Sequence, residues 1–288
     1  KYARSIIKPG MKLIDVALLI DDKIRELGAS PAFPVNLSLN EIAAHFTPDM
    51  NSTEEVSGLL KVDIGIHING YIADTAITFD FTEGHKHKKM MELNKRILNG
   101  IMKIVKPGIM IKEIGHSGQK TLEDFNKENG TTYSIIRNLC GHNVEKDVIH
   151  AGLIIQNIAN ENKTILKNIA IAVEPFVTTG SGEIYEGKGG GIYALQNERP
   201  TRDKSSRELL EFIKENYNTR PFCIRWLEMA GLKGIKFAMK NLVDQGIIHH
   251  YPLLIEKSKE PVSQFENTFL ITDDEVTITT FEDGWMEK

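Results

Sequence analysis

The sequence predicts an α+β chain of 288 residues whose β-rich core carries a mostly helical tract in its second half. Three observations predict it. Residues 59–68 and 71–81 are strand-like runs joined at Asn69-Gly70, a strong two-residue hairpin signal. Two amphipathic stretches, roughly 86–105 and 111–128, follow on either side of Pro107-Gly108. Residues from about 190 to 250 then read as helix, and β character returns in 247–281.

Taken in order, Leu13, Val16, Leu19, Ile20, Ile24 and Leu27 recur at helical spacing, with Pro9 near the start and Gly28 at the stop. A Pro-punctuated stretch, Pro31-Ala32-Phe33-Pro34, leads to His45. Beyond the hairpin and the two helices, strand-like stretches lie near 132–139, 152–156 and 169–178. Arg207–Tyr217, Ile224–Ala230 and Leu232–Gln245 read as helices. Phe265–Ile271 and Glu275–Phe281 read as strands. The expected division is an α+β core of 1–189 and 251–288, with a helical insertion over 190–250.

The formal net charge is −4 and 26% of residues are charged. That balance argues against a protein built mainly to grip nucleic acid. Cys140 and Cys223 form neither a CxxC pair nor a disulfide framework, so a reducing, cytoplasmic setting is expected. No apolar run approaches a membrane span, and no secretory pattern opens the chain. The chain begins without an initiator Met. No long heptad seam suggests a coiled coil, so a monomer is expected.

The hairpin carries geometry. If Asn69 and Gly70 form the turn, Asp63 faces Ala76 and Asp74 faces Gly65. Side chains alternate faces, so Asp63 and Asp74 project from the same face as diagonal neighbours. Two carboxylates on a mostly apolar sheet repel each other and resist desolvation, and a cation between them relieves both costs. An exposed face with two ordinary aspartates would give the same pattern.

Other segments point the same way. His142 follows the run Ile135–Leu139, Glu174 closes Ile169–Val173 before Pro175, and Glu266 opens a strand-like run. Singly, each would more often be structural. Together, two Asp, one His and two Glu suit a pair of divalent Mn, Fe, Co or Zn ions.

Several motifs accompany them: Pro31-Ala32-Phe33-Pro34-Val35-Asn36, Leu39 through Pro48, Lys61-Val62-Asp63-Ile64-Gly65 and Ala73-Asp74-Thr75-Ala76. Asn138-Leu139-Cys140-Gly141-His142, His150-Ala151-Gly152, Ala172 through Phe176 and Gln264-Phe265-Glu266 complete the set. In these the chain resembles the type II methionine aminopeptidases, particularly their short archaeal form, over nearly its full length.

The resemblance implies a pita-bread fold, two pseudo-symmetric halves around an antiparallel sheet. It implies that Asp63 binds one metal, His142 and Glu174 the other, and that Asp74 and Glu266 bridge. It makes Glu174 the proton acceptor for an attacking water. His150 would stabilise oxygen charge, and His45 would contact the scissile amide. Phe33 and Ile149 would wall a methionine pocket beside a site for small second residues. Nascent polypeptide N-termini would be the substrates, with encounters near the ribosome. The gap of 92 positions between Glu174 and Glu266 (266 − 174) fits the insertion of type II enzymes, which resembles a winged helix and includes Arg220-Pro221-Phe222 and Arg225-Trp226-Leu227. Two positions depart from the family or vary in it. Asn267 stands where His is usual, on the strand face away from Glu266, and Cys140 occupies a variable position near the pocket.

Three alternatives stand beside this reading. A proline-specific peptidase of the same fold generally has a separate preceding domain, whereas the 62 residues before Asp63 match the methionine family. A non-catalytic relative that binds RNA or a ribosome would lose ligands, and all five are present. The insertion could also add a nucleic-acid or ribosome contact to an active enzyme. His85, His87, His249 and His250 stand among polar residues and read as surface, and His67 lies too far toward the turn to join Asp63.

Overall fold

A computed structural model describes residues 1–281. Chain order is α1 (Tyr2–Ile6), α2 (Leu13–Glu26), β1 (Ser30–Pro31), β2 (Asn36–Leu39), β3 (Ile42–Ala44), β4 (Leu59–Ile68), β5 (Tyr71–Asp80), α3 (Lys88–Ile104) and α4 (Ile111–Asn129). Next come β6 (Ser134–Ile135), β7 (Gly141–Val144), β8 (Ile154–Ile155), β9 (Ile169–Val173), β10 (Phe176–Thr178) and β11 (Ile184–Leu195). The rest is α5 (Lys204–Asn216), β12 (Phe222–Cys223), α6 (Ile224–Met229), α7 (Ile235–Asp244), β13 (Ile248–Glu256), β14 (Val262–Gln264), β15 (Asn267–Ile271) and β16 (Val276–Ile278).

Strand pairing is antiparallel throughout these elements. β4 sits among β1, β2 and β5; β10 lies between β14 and β6; β11 and β13 lie between β12 and β3. A fourth sheet runs β16-β15-β9-β7-β8. The hairpin has the register expected from its turn: Ile68 pairs Tyr71, Asp63 pairs Ala76, Gly65 pairs Asp74. Positive φ at Asn69 (52°) and Gly70 (87°) is what a two-residue turn of matching twist requires.

Helices α3 and α4 lay one apolar face each over the sheets. Leu93, Ile97, Leu98, Ile101, Ile114 and Phe125 join Val173, Val177, Phe265 and Phe269 in the largest buried cluster. Helix α2 buries Leu13, Val16, Ala17, Ile20 and Ile24 against Leu37, Leu60 and Val62. It starts after Lys12, later than Pro9 suggested, because Gly10 (φ 79°) turns the chain first.

Several strand-like stretches are shorter than their composition suggests. Of 132–139 only Ser134–Ile135 is strand, because Arg137 turns aside to bond Gly182. Residues 169–178 break at Glu174-Pro175, where Pro175 offers no N–H to a ladder. Across from that break, Phe265 and Glu266 separate β14 from β15, so Glu266 stands between strands, before β15 begins. Phe281 lies past the end of β16, and residues 282–288 of the expected 251–288 segment lie outside the described residues.

Between β11 and β13, helices α5, α6 and α7 bury their own cluster, including Leu209, Ile213, Phe222, Trp226, Leu227 and Leu242. Positions 190 and 250 fall inside β11 and β13 rather than in linkers. The tract is also tied to the turn after β7, where Arg220 pairs with Asp147 and Thr219 Oγ1 donates to the Asp147 carbonyl (2.6 Å); the Asp147 N–H in turn bonds the Gly70 carbonyl at the hairpin tip (2.8 Å). Among the described residues no helix is long and apolar enough to cross a membrane.

Candidate metal centre

Each acidic or imidazole group is delivered by a definable piece of backbone. Asp63 and Asp74 come from one face of the β4–β5 hairpin, as strand alternation demands. β5 is stitched to the neighbouring sheet through Thr268, whose Oγ1 accepts from the Asp74 N–H and donates to the Asp74 carbonyl, both at 2.8 Å. The Glu266 N–H bonds the Ala76 carbonyl (3.0 Å), and Thr75 Oγ1 donates to the Glu266 carbonyl (2.9 Å).

The two glutamates meet by register. Val173 pairs Asn267, and Phe176 pairs Gln264, so the same register carried across the break sets Glu174 opposite Glu266. His142 pairs Ala172, which places Glu174 diagonally beside it on the same face. Like charges directly opposed across strands are destabilising, so this arrangement calls for a counter-charge.

Asp74, His142 and Glu266, all buried, each offer one atom within 4.8 Å of the others. His142 Nε2 lies 3.6 Å from Asp74 Oδ2 and 3.8 Å from Glu174 Oε1. Asp63 lines the same cavity as Asp74, His142 and Glu174, on the hairpin face it shares with Asp74. Gln264 Nε2 donates to Glu174 Oε2 at 3.1 Å and fixes that carboxylate.

Electrostatics point to what these groups lack. Burial first, then neighbouring carboxylates, hold Asp74, Glu174 and Glu266 well above the ordinary carboxylate range. Asp63 is pushed up to about 7 by burial. His142 is lowered to about 3 by burial and by His150, so it is neutral and its contacts to the carboxylates are not ion pairs. Its Nδ1 faces the Asn143 carbonyl (3.3 Å), which can only accept; the proton therefore sits on Nδ1 and Nε2 keeps its lone pair. Asp63 Oδ1, Asp74 Oδ1 and both Glu266 carboxylate oxygens are buried without a hydrogen-bond partner. Orphaned oxygens and bare imidazole nitrogen are the donor set of a divalent-cation site.

The cluster lies at the base of a cavity of about 370 Å³ whose walls include Phe33, His45, Ile149, His150 and Tyr251. Phe33 and Ile149 are buried. Gly65 admits the Phe33 ring: a Cβ there would fall 2.1 Å from Phe33 Cε1. His45 takes a left-handed backbone (φ 69°); its N–H donates to Asn36 Oδ1 (2.8 Å), and its Nδ1 donates to the Pro252 carbonyl (3.1 Å). Its Nε2 is therefore an acceptor. Burial and the nearby His150 and His249 lower His45 to about 4 despite the Pro252 contact. His150 is exposed, but to the cavity, and meets the His142 ring edge-on at 4.4 Å; desolvation lowers its pKa.

Some placements differ from the sequence reading. His249 and His250 are half-buried rather than surface residues. His249 packs edge-on to Tyr251 (4.7 Å), and His250 stacks on Tyr193 (4.1 Å). Asn36, Tyr251 and Gln264 serve the site but carry no sequence signal of it, since the contacts of Tyr251 and Gln264 are long-range and that of Asn36 depends on the chain folding back at His45; only Gln264's place beside Glu266 hints at a role. Asn267 turns away, accepting from Thr280 Oγ1 (2.9 Å). Cys140 lines the cavity with its thiol pushed up to about 11 by burial.

Comparison with known proteins accords with this geometry. The family model of metallopeptidase family M24 matches residues 1–273. The methionine aminopeptidase of Pyrococcus abyssi is 40% identical over 283 residues, covering 96% of this chain and 93% of its own. Methionine aminopeptidase 2 of Candida albicans is 35% identical over 300 residues, covering 98% of this chain and 67% of its own. Among solved structures, a thermophilic Arx1 superposes with a TM-score of 0.79 at 17% identity, covering 99% of this chain and 87% of its own. The methionine aminopeptidase of Rickettsia prowazekii does so at 0.66 and 19%, covering 97% and 90%. The structural likenesses speak to the fold, which is the pita-bread fold; the sequence relatives speak to the family. The chain belongs to metallopeptidase family M24 and, within it, to the type II methionine aminopeptidases.

Proposed function

We propose that this protein removes the N-terminal methionine from nascent polypeptides with small second residues, using two divalent ions. The observation that carries the two-ion reading is the set Asp63, Asp74, His142, Glu174 and Glu266, buried or half-buried, with its orphaned oxygens on Asp63, Asp74 and Glu266. Asp63 would hold one ion, His142 and Glu174 the other, with Asp74 and Glu266 shared. Mn, Fe, Co and Zn all suit such donors. When bound, the ions supply Lewis acidity to the scissile carbonyl and lower the pKa of a water at the site.

The chain's own groups do the rest. Glu174, oriented by Gln264, takes the proton of the attacking water. His45, neutral with a bare Nε2, accepts a hydrogen bond from an amide N–H of the substrate. His150 lies in the cavity beside His142 to steady oxygen charge. Phe33 and Ile149 supply apolar walls for an unbranched thioether. A free substrate amine against the metal centre makes the enzyme an exopeptidase.

We read 1–189 and 251–288 as the catalytic unit and 190–250 as a winged-helix-like insertion; the separate apolar cluster around Trp226 supports that division. Two free thiols, Cys140 and Cys223, suit a reducing cytosol. We further propose a monomer that meets its substrates near the ribosome.

The test compares hydrolysis of Met-Ala-Ser and an X-Pro peptide by chelated and metal-restored protein. Release of methionine only after restoration supports the reading. Preferred cleavage of X-Pro would move the chain to the proline peptidases, and absence of turnover with every metal would favour a binding protein.

A further inference from the structure

Arg225, on α6 of the helical tract, is completely buried, yet it is far from the acidic cluster in sequence and in contacts. Its Nη1 donates to the Pro48 carbonyl and to Thr47 Oγ1 (3.3 Å). Its Nη2 donates to Asp21 Oδ2 on α2 (3.2 Å), an oxygen that also accepts from Trp226 Nε1 (2.6 Å). Both partners of this ion pair are essentially without solvent. A buried ion pair is a poor way to stabilise a fold compared with apolar packing of equal volume, so what it holds in place matters.

What it holds is the segment two and three residues beyond His45. That segment enters from a left-handed His45 (φ 69°), a conformation the surroundings must enforce. On one side the segment presses against the glycine run of β11. The Thr47 N–H bonds the Gly190 carbonyl (3.0 Å), and a Cβ on Gly190 would fall 1.8 Å from the His45 carbonyl oxygen. Elsewhere a cavity of about 280 Å³ borders residues 46–49, so packing alone does not fill the space the segment could move into. Arg225 is the charged group that reaches the Thr47 and Pro48 oxygens from outside the run.

We infer that Arg225 is a positioning residue for His45: the helical tract reaches into the catalytic unit and fixes the backbone from which the His45 imidazole is aimed. The inference rests on the proposed role of His45. Loss of Arg225 frees Thr47-Pro48, lets the strained His45 backbone relax, and swings Nε2 off the substrate amide. Arg225→Lys keeps one donor for the Pro48 carbonyl but cannot also reach Asp21 with a planar fork, so it restores part of the alignment.

The experiment uses the full chain loaded with zinc. Arg225→Met is expected to lower kcat/KM on Met-Ala-Ser roughly 10- to 100-fold, the scale of a small misplacement near reacting atoms, while zinc content is unchanged. Arg225→Lys should recover part of that loss. In a His45→Ala background, Arg225→Met should add less than about threefold, because the two changes act through one group. Losses that multiply across the two sites would overturn the inference, as would wild-type activity in Arg225→Met. If Arg225→Met does not fold, Asp21→Asn, nearly isosteric, is measured in the same cycle. Nitrogen-15 histidine spectra give a reading independent of turnover: the His45 Nδ1–H tautomer should be lost or averaged in the variant, and an unchanged signal would sink the proposal. A wild-type chain that releases no methionine would count against the proposed function, and these spectra would still decide the role of Arg225.

Discussion

Asp74 Oδ2 lies 3.6 Å from His142 Nε2, although one stands on the β4–β5 hairpin and the other on β7 of a different sheet. The separation is too long for a hydrogen bond and the imidazole is neutral, so neither group satisfies the other. Two ligands about 2.0–2.2 Å from a common ion stand roughly 3–3.5 Å apart. Asp74→Asn should therefore bind at least one ion fewer and lose activity on the order of a hundredfold or more, beyond what outlying partners of metal ligands usually cost. Metal content and Met-Ala-Ser hydrolysis measured together check this; full activity would remove Asp74 from the shared position.

Metal removal should make stability depend on pH with a definite sign. The folded, metal-free Asp63 titrates near 7, above its unfolded value of 3.8. The stability linked to its proton is complete below 3.8 and is lost as pH rises through about 7. Asp74, Glu174 and Glu266 shift in the same direction. Chelated protein should melt lower at pH 8 than at pH 6, and added Mn should raise the melting temperature more at pH 8, since binding displaces protons. A melting temperature indifferent to Mn at both values would contradict the metal assignment.

His45 shifts the other way. Its folded value of about 4 lies below the ordinary 6.5, so the unfolded chain takes up the proton first. Its contribution to stability is complete above 6.5 and is lost as pH falls toward 4. Replacing it by Asn, which tolerates the left-handed backbone, should flatten the fall in urea midpoint between pH 7 and 4.5 and lower kcat/KM. An unchanged acid limb would show that His45 is not the group responsible.

Gly65→Ala places a Cβ where the Phe33 ring now lies. Overpacking of this kind costs about 1–3 kcal/mol. Phe33 should be driven into the cavity, raising KM for methionine substrates roughly tenfold with metal content kept. Phe33→Leu in the same chain should recover much of the loss; an unaltered KM in Gly65→Ala would show that the ring does not shape the pocket.

The register of the hairpin was legible to the residue because a two-residue Asn-Gly turn dictates it, while β5 ends one residue short of the expected 81. Helices α3 and α4 were legible from periodicity, within two residues at their ends. The meeting of Glu174 with Glu266 was not, because both fall where the strands break and a break has no periodic signature. Nor was Tyr251, whose value comes from a partner far away in the chain, nor Asn36, which meets His45 only because the chain folds back between them. His249 and His250 look like surface because their neighbours are polar, yet both lie on a strand where aromatic rings pack against them and leave each only half-buried rather than exposed.

The Asn69-Gly70 turn also makes the site's assembly a matter of parity. Asp63 lies six residues before Asn69 and Asp74 four after Gly70, and both face the same way only while the turn holds an even number of residues. Adding one residue there would move no ligand in sequence terms, yet would turn one whole strand over and send its aspartate to the opposite side. Adding two would restore the facing. A series of turn insertions should thus load metal in an odd–even alternation, counting out in ions what the strand counts in residues.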